Sequence, residues 1–498
     1  MIDVAPSRQE FAARAAHHTV VSVRTKLVCD DDTPVGLYQH LCGDRGLTFL
    51  LESAESGIWS RWSFIGVNAR CALISDGDSV GWIGDKPGGL TVSDDPLEAL
   101  KEALADLSTP AEPDLPPLTS GFVGYIGYDM VRRLESIGDD VVDDLGLPAA
   151  CLMLVGDMAV FDHQRGELWL ISNQVVSGTD PDQAYDAAVC ALSAMVARLA
   201  EPREVLTARI VDHPAAPVRR QRTPAQYAEL VDEAVDRIRD GDIFQVVPSQ
   251  RFDVETRADA LNIYRQLRRT NPSPYLYLLR LPGFDVIGSS PEALVTVADG
   301  VATTHPIAGT RPRGRTAAED RAMEDELLAD PKERSEHTML VDLGRNDLGR
   351  VCVPGTVNVT EFMHVGRYSH VMHLEAAVTG QIAAGMDAVD VTMSCFPAGT
   401  LSGAPKISAM RIIEMLETTR RGVYGGVVGY FDLHGNSDCA IAIRTAVLKD
   451  HVAHVQAGAG IVLDSIGSRE NAECENKAAA VIQAVQDAEL LSGLREDV

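Results

Sequence analysis

Two helical stretches place charged side chains where they could act together. In "DPKERSEHTMLVDLGRNDL", Glu333 and Glu336 stand one turn apart, and in "SRENAECENKAAAVIQAV", Glu473 and Lys477 stand at i, i+4. Carboxylates from two helices suit Mg²⁺, which takes one or two of them and leaves its other positions to water and substrate oxygens. The plainer reading of the second pair is a surface ion pair worth about 0.3 kcal/mol. A third stretch, "THPIAGTRPRG", gathers Arg311 and Arg313 around a Gly309-Thr310 turn, with Arg315 just beyond it. Ala308 stands before that turn, where a reactive side chain would fit. The loop is suited to receive an anion without reacting with it. In "YSHVMHLE", His370 and His373 stand at i and i+3. On a strand they point to opposite faces and cannot share a metal.

Other motifs fail on inspection. "QAGAGIVLD" has a G-x-G followed by a strand-like run rather than a helix, which removes the phosphate-binding reading. In "GTLSGAPK", Ala-Pro separates Gly403 from Lys406 and no Ser or Thr follows the lysine, so no P-loop is expected. The nine cysteines form no C-x-x-C pair, and the odd count reads as reduced thiols, mostly buried.

The elements that must position these groups are legible in outline. Asp330 reads as an N-cap, with Pro331 in the first turn and Glu333 completing a capping box. Ser468 can cap the last helix, and Gly241 can end the helix that begins near Ala225. Strand-like runs such as "RWSFIGVN", "MLVGDMAVFD", "YLYLLRL" and "GGVVGYFDL" often follow one another with no helix between. The expected fold class is therefore α+β, with large antiparallel sheets and flanking helices. "STPAEPDLPPLTS" reads as an exposed connection, and the proline-rich 211–224 as a boundary between residues 1–215 and 222–495.

The chain has 498 residues and 72 acidic against 44 basic side chains, a formal net charge of −28. Such a balance argues against nucleic acid, and no apolar run approaches the roughly 20 residues of a membrane helix. A first stretch without an apolar signal core leads us to expect a cytoplasmic protein.

Taken together, "DIFQVVPSQRF", "GSSPEALV", "HPIAGTRPRG", "SEHTMLVDLGRNDLGRV", "PAGTLSGAPK", "YGGVVGYFD", "AIRTA", "QAGAGIVLDS" and "ENKA" resemble the chorismate-utilising enzymes, and within them the anthranilate synthase large-subunit family. The resemblance implies a regulatory N-terminal domain packed on a chorismate-binding catalytic domain. It implies Mg²⁺ held by Glu336 and Glu473, and substrate contacts from Gly309, Thr310, Tyr424, Arg444, Gly458, Ala459, Gly460 and Lys477. Glu292 matches the general acid, which must be protonated when chemistry starts, and His373, rather than His370, matches the active-site histidine. Thr400 and Ser402 are expected to line the pocket. Isochorismate- and salicylate-forming relatives carry a water-activating lysine where this chain has Gln245. Aminodeoxychorismate synthases carry a nucleophilic lysine where it has Ala308. With both absent, the resemblance implies ammonia as nucleophile, delivered by a glutamine amidotransferase subunit in a heterotetramer, or a homodimer of this chain. Ser53 with Pro274, Tyr275 and Leu276 matches the elements that bind L-tryptophan as feedback inhibitor. Two alternatives stay open: an aminodeoxychorismate synthase, and a non-catalytic tryptophan-sensing subunit.

Overall fold

The computed structural model describes residues 2–54, 61–76, 79–90, 92–112, 114–202, 206–210, 216–367 and 371–493. The α+β expectation holds: antiparallel ladders dominate, with helices packed along them. The runs rich in Val, Ile, Leu and aromatic residues form the strands. Ala150–Asp162 is buried at all but one position and pairs with Trp62–Asp76, Gly121–Ile126 and Glu167–Val175. A strand buried on both faces reads as a near-continuous apolar run, which is how "ACLMLVGDMAVFD" is written.

Two ladders carry the sheet from the first half of the chain into the second. Thr48–Glu52 pairs with Tyr275–Leu281, and Gly121–Ile126 pairs with Val427–Asp432. The core follows the strands, so Phe49, Tyr125 and Met153 pack with Tyr277, Leu279 and Val428 in one apolar cluster. Residues 211–215, at the expected boundary, lie outside the described residues.

Local expectations fared unevenly. Asp330 caps the helix Pro331–Gly349, accepting from the N–H groups of Lys332 and Glu333. Glu333 does not close a capping box; its carboxylate accepts from Arg311 at 3.3 Å, a charged partner that outcompetes a backbone amide. Ser468 is not the cap of the helix Gly467–Glu489. Ile466 holds that position, and Ser468 lies inside the first turn. Gly241, at φ +85°, follows the helix Pro224–Arg239 as expected. After the strand Val452–Gly458 the chain makes a single bridge at Ile461 and turns, rather than continuing as a strand. The described residues of the proline-rich 108–120 are half-buried rather than exposed: Leu118 is fully buried, and Glu112 binds Arg14 and Arg24. Lys406 pairs with the buried Asp347 at 3.0 Å, which closes the P-loop reading. The nine thiols are free, and all but Cys190 are buried. Among the described residues, no helix is long and apolar enough to cross a membrane.

Candidate active site

The motif residues converge on one cleft of about 1030 Å³. Gln245, Glu292, Gly309, Thr310, Glu336, His373, Tyr424, Arg444, Gly458, Gly460, Glu473 and Lys477 line it, with Ala308 and Pro274. Ala459 is fully buried between its two glycines and supports the wall from behind.

Glu292 follows the strand Phe284–Ser290, and its carboxylate accepts from Thr400 Oγ1 at 3.2 Å. Burial pushes this carboxyl up to about 7, against the opposing pull of Thr400, Lys477 and Arg444. A carboxyl that keeps its proton near neutrality can donate it to a leaving oxygen. Ser402, by contrast, is fully buried and donates to the Ala398 carbonyl, so it does not face the cleft.

The Gly309 turn is a bulge in the ladder between Ile307–Pro312 and Val371–Gln381. Gly309 sits at φ +62°, and a Cβ there would stand 2.9 Å from Leu327 Cδ1 and 3.0 Å from Glu333 Oε2. Only glycine fits. Its carbonyl accepts from His373 Nδ1 at 2.9 Å, and Thr310 Oγ1 lies 3.1 Å from the same nitrogen. A carbonyl can only accept, so Nδ1 carries a proton. His370 lies outside the described residues. Arg311 is spent on Glu326, Asp330 and Glu333, and Arg313 on Asp320, so these arginines brace the loop.

Arg444 takes a left-handed backbone at φ +51°, a costly conformation for a non-glycine residue, and donates to the Lys477 carbonyl at 3.1 Å. Burial lowers its proton affinity, although a guanidinium stays charged at any ordinary pH. Lys477 binds Glu473 at 2.7 Å, the ion pair of the plainer reading, and also donates to the Gly458 carbonyl at 3.0 Å. Gly458 and Gly460 are tight. A Cβ would approach Pro248 O to 2.7 Å at the first and Gln245 Nε2 to 2.8 Å at the second.

The helices Pro331–Gly349 and Gly467–Glu489 bring Glu336 and Glu473 to one wall, joined by Glu470 and Lys332. Burial raises the Glu336 carboxyl, and the neighbouring Glu333 and Glu473 raise it further. Burial and Glu473 likewise raise Glu470. Like charges held together this way fit a hard divalent cation, which would neutralise them. Among the described residues, no group of three or more His, Cys, Asp or Glu is placed to enclose a metal. These glutamates therefore form an open wall rather than a closed cage. Glu470 and Lys332 were missed in the sequence, although Glu470 precedes Glu473 by one helical turn.

The tryptophan-matching residues are brought together only in part. Ala54 N–H donates to the Ser273 carbonyl at 3.1 Å, which sets Ser53 beside Pro274 and Tyr275. Ser53 Oγ is buried with no hydrogen-bond partner among the described residues, and Tyr275 donates to Asp438 at 2.9 Å. Leu276 turns away. It pairs with Glu52 and is buried in a different cluster, because neighbours on a strand face opposite sides.

The sequence profile described as chorismate binding enzyme matches residues 48–483. The chain belongs to the chorismate-binding enzyme family. It is 54% identical to anthranilate synthase component 1 of Mycolicibacterium smegmatis, over 98% of this chain and 94% of that one. To the same component of Arthrobacter globiformis it is 46% identical, over 99% and 95%. The crystal structure of anthranilate synthase component I from Streptococcus pneumoniae covers 92% of this chain and 99% of its own, at 36% identity and a TM-score of 0.77. The menaquinone-specific isochorismate synthase of Escherichia coli, 18% identical with a TM-score of 0.72, shares the fold; the alignment covers 96% of this chain and 99% of that one. This member of the chorismate-binding family is an enzyme acting on chorismate.

Proposed function

We propose that the chain is the large subunit of an anthranilate synthase. In this reading, residues 1–215 form a tryptophan-binding regulatory part and residues 222–495 the catalytic part. The observation that carries the proposal is the company Glu292 keeps. A carboxyl pushed up to about 7 faces the same cleft as Ala308 and Gln245, neither of which can act as base or nucleophile.

Arg444, with Lys477 beside it, would hold the carboxylates of chorismate, and the Gly309-Thr310 turn and the Gly458–Gly460 segment would close on the ring. Glu336 and Glu473 would hold Mg²⁺, which when bound supplies positive charge for the ring carboxylate. Ammonia attacks C2 with its lone pair, the two ring double bonds shift, and the C4–O bond breaks. Glu292 gives its proton to the departing hydroxyl, which leaves as water, and the new ammonium loses a proton to solvent. In the second step His373 Nε2 takes the C2 hydrogen as a proton, and the C3–O bond breaks. The enolpyruvyl group leaves as the enolate of pyruvate, which takes a proton at its methylene carbon to become pyruvate, and the ring becomes aromatic. A glutamine amidotransferase would supply the ammonia. Tryptophan, seated at Ser53, Pro274 and Tyr275 where the first half of the chain meets the second, would bias the cleft toward a poorly active arrangement.

The test is to supply chorismate, Mg²⁺ and ammonium salt without glutamine. Anthranilate fluorescence that tryptophan suppresses supports the reading. A non-aromatic amine would favour aminodeoxychorismate synthesis, and tryptophan binding without turnover would favour a sensor.

A further inference from the structure

Behind the wall that carries Tyr424, the guanidinium of Arg421 is buried, and the residue is only 4% exposed. Its terminal nitrogen pairs with Glu417 at 2.6 Å, and its Nε donates to the same carboxylate at 3.0 Å. The two terminal nitrogens also donate to the carbonyls of Leu401 at 2.8 Å and Val247 at 2.7 Å. The same planar group lies 4.5 Å from the ring centre of Tyr128 and 5.6 Å from that of Tyr424. A buried charge is expensive unless it is paired and hydrogen-bonded, and Arg421 is both. Nothing in the reaction above uses it.

Every group tied to Arg421 leads to the cleft. Val247 and Leu401 line it themselves, and Leu401 follows Thr400, whose hydroxyl donates to Glu292 at 3.2 Å. Glu417 accepts from the N–H and the Oγ of Ser249, each at 2.8 Å. Ser249 Oγ in turn accepts from Gln456, on the cleft wall, at 2.8 Å. Tyr424 lines the cleft, and its hydroxyl stands 3.0 Å from where a Cβ on Gly458 would lie.

The first half of the chain backs this arrangement. Tyr128 N–H donates to the Gly422 carbonyl at 2.8 Å, and Gly422 N–H donates to Asp129 at 2.8 Å. These two bonds hold the Tyr128 ring against the segment that carries Arg421 and Tyr424. Tyr128 OH is buried with no hydrogen-bond partner among the described residues, so the ring face is what this residue contributes.

We propose that Arg421 is a positioning residue for chorismate, fixing the Tyr424 ring and its hydroxyl from behind, with Tyr128 of the first half as its backing. The proposal rests on the reading of Tyr424 as a chorismate contact.

The experiment uses the full chain with Mg²⁺. Chorismate KM and kcat are measured with ammonium salt, and chorismate Kd by calorimetry, so binding stays readable whatever the product. Arg421→Lys keeps a charge beside Glu417, but one ammonium cannot replace a flat fork that meets two carbonyls and stacks on rings. It should raise chorismate KM and Kd roughly tenfold and change kcat by less than about threefold, the pattern of lost substrate binding. A partly unfolded preparation would instead lower kcat and leave KM alone. In Tyr424→Phe the hydroxyl is gone, so adding Arg421→Lys should raise KM by less than about twofold more. Tyr128→Leu, which leaves Glu417 untouched, should raise KM roughly threefold, again only while Tyr424 is present, and serves if Arg421→Lys folds poorly. Losses that multiply in the double variants overturn the proposal, as does a wild-type KM in both Arg421→Lys and Tyr128→Leu. A wild-type KM in Tyr424→Phe alone removes Tyr424 from the substrate's contacts and the proposal with it, a distinguishable failure.

Discussion

Replacing Glu292 by glutamine should stabilise this protein while disabling it. The carboxyl rises from its ordinary 4.5 to about 7 because burial penalises the charged form. At about 1.4 kcal/mol for each tenfold change in proton affinity, ionising Glu292 in the folded protein costs about 3 kcal/mol. A group whose folded value is raised contributes its stability fully below the unfolded value, here 4.5, and loses it as pH climbs through 7. Glutamine keeps the shape and carries no such charge. Urea unfolding of wild type and Glu292→Gln at pH 4.5 and pH 8.5 should therefore diverge. The variant gains about 3 kcal/mol on the wild type between the two conditions. Over the same range its kcat/KM should lie roughly 10²–10⁴ below wild type, as expected for loss of a general acid. Equal stability differences at the two pH values would refute the argument, because they would show that Glu292 ionises as easily in the fold as in the unfolded chain.

Other expectations follow from the same site. Glu336→Gln and Glu473→Gln should each abolish Mg²⁺-dependent chorismate binding in a calorimeter and lower kcat/KM by roughly 10²–10³; binding that stays Mg²⁺-dependent in both would remove the metal from this wall. Gly309→Ala should cost about 1–2 kcal/mol for the left-handed backbone alone. Its Cβ would also press on Leu327 and Glu333, so chorismate KM should rise with the loss, and unchanged unfolding curves would contradict the clash. Ser53→Phe should abolish tryptophan inhibition and leave ammonium-driven turnover intact; inhibition that persists would place the inhibitor elsewhere. For the wild type, kcat/KM should fall as pH rises through about 7, and that limb should vanish in Glu292→Gln.

What the sequence disclosed depended on how local each signal was. Asp330 and Gly241 were readable because a cap or a left-handed terminus is settled within one turn. Glu333 was misread because its partner, Arg311, comes from a strand outside its helix, and charge outweighs the local amide. The α+β class followed from helix-free runs of strands. That Thr48–Glu52 would pair with Tyr275–Leu281 could not be read, since a ladder between residues more than 200 apart leaves no local mark. The site residues were nameable by their resemblance to a family, but not their use. Leu276 faces the core because strand alternation turns it from Tyr275, and Ser402 is buried by the turn that exposes Thr400. The pressure on Glu292 was expected from its role, and burial supplies it.

The most direct measurement supplies ¹⁵N-labelled ammonium to the purified chain with chorismate and Mg²⁺, then counts products by mass spectrometry and pyruvate assay. The account predicts ¹⁵N-anthranilate and pyruvate in equal amounts, both lost in Glu292→Gln. Pyruvate without labelled anthranilate, or a labelled amine that keeps its enolpyruvyl group, would contradict it.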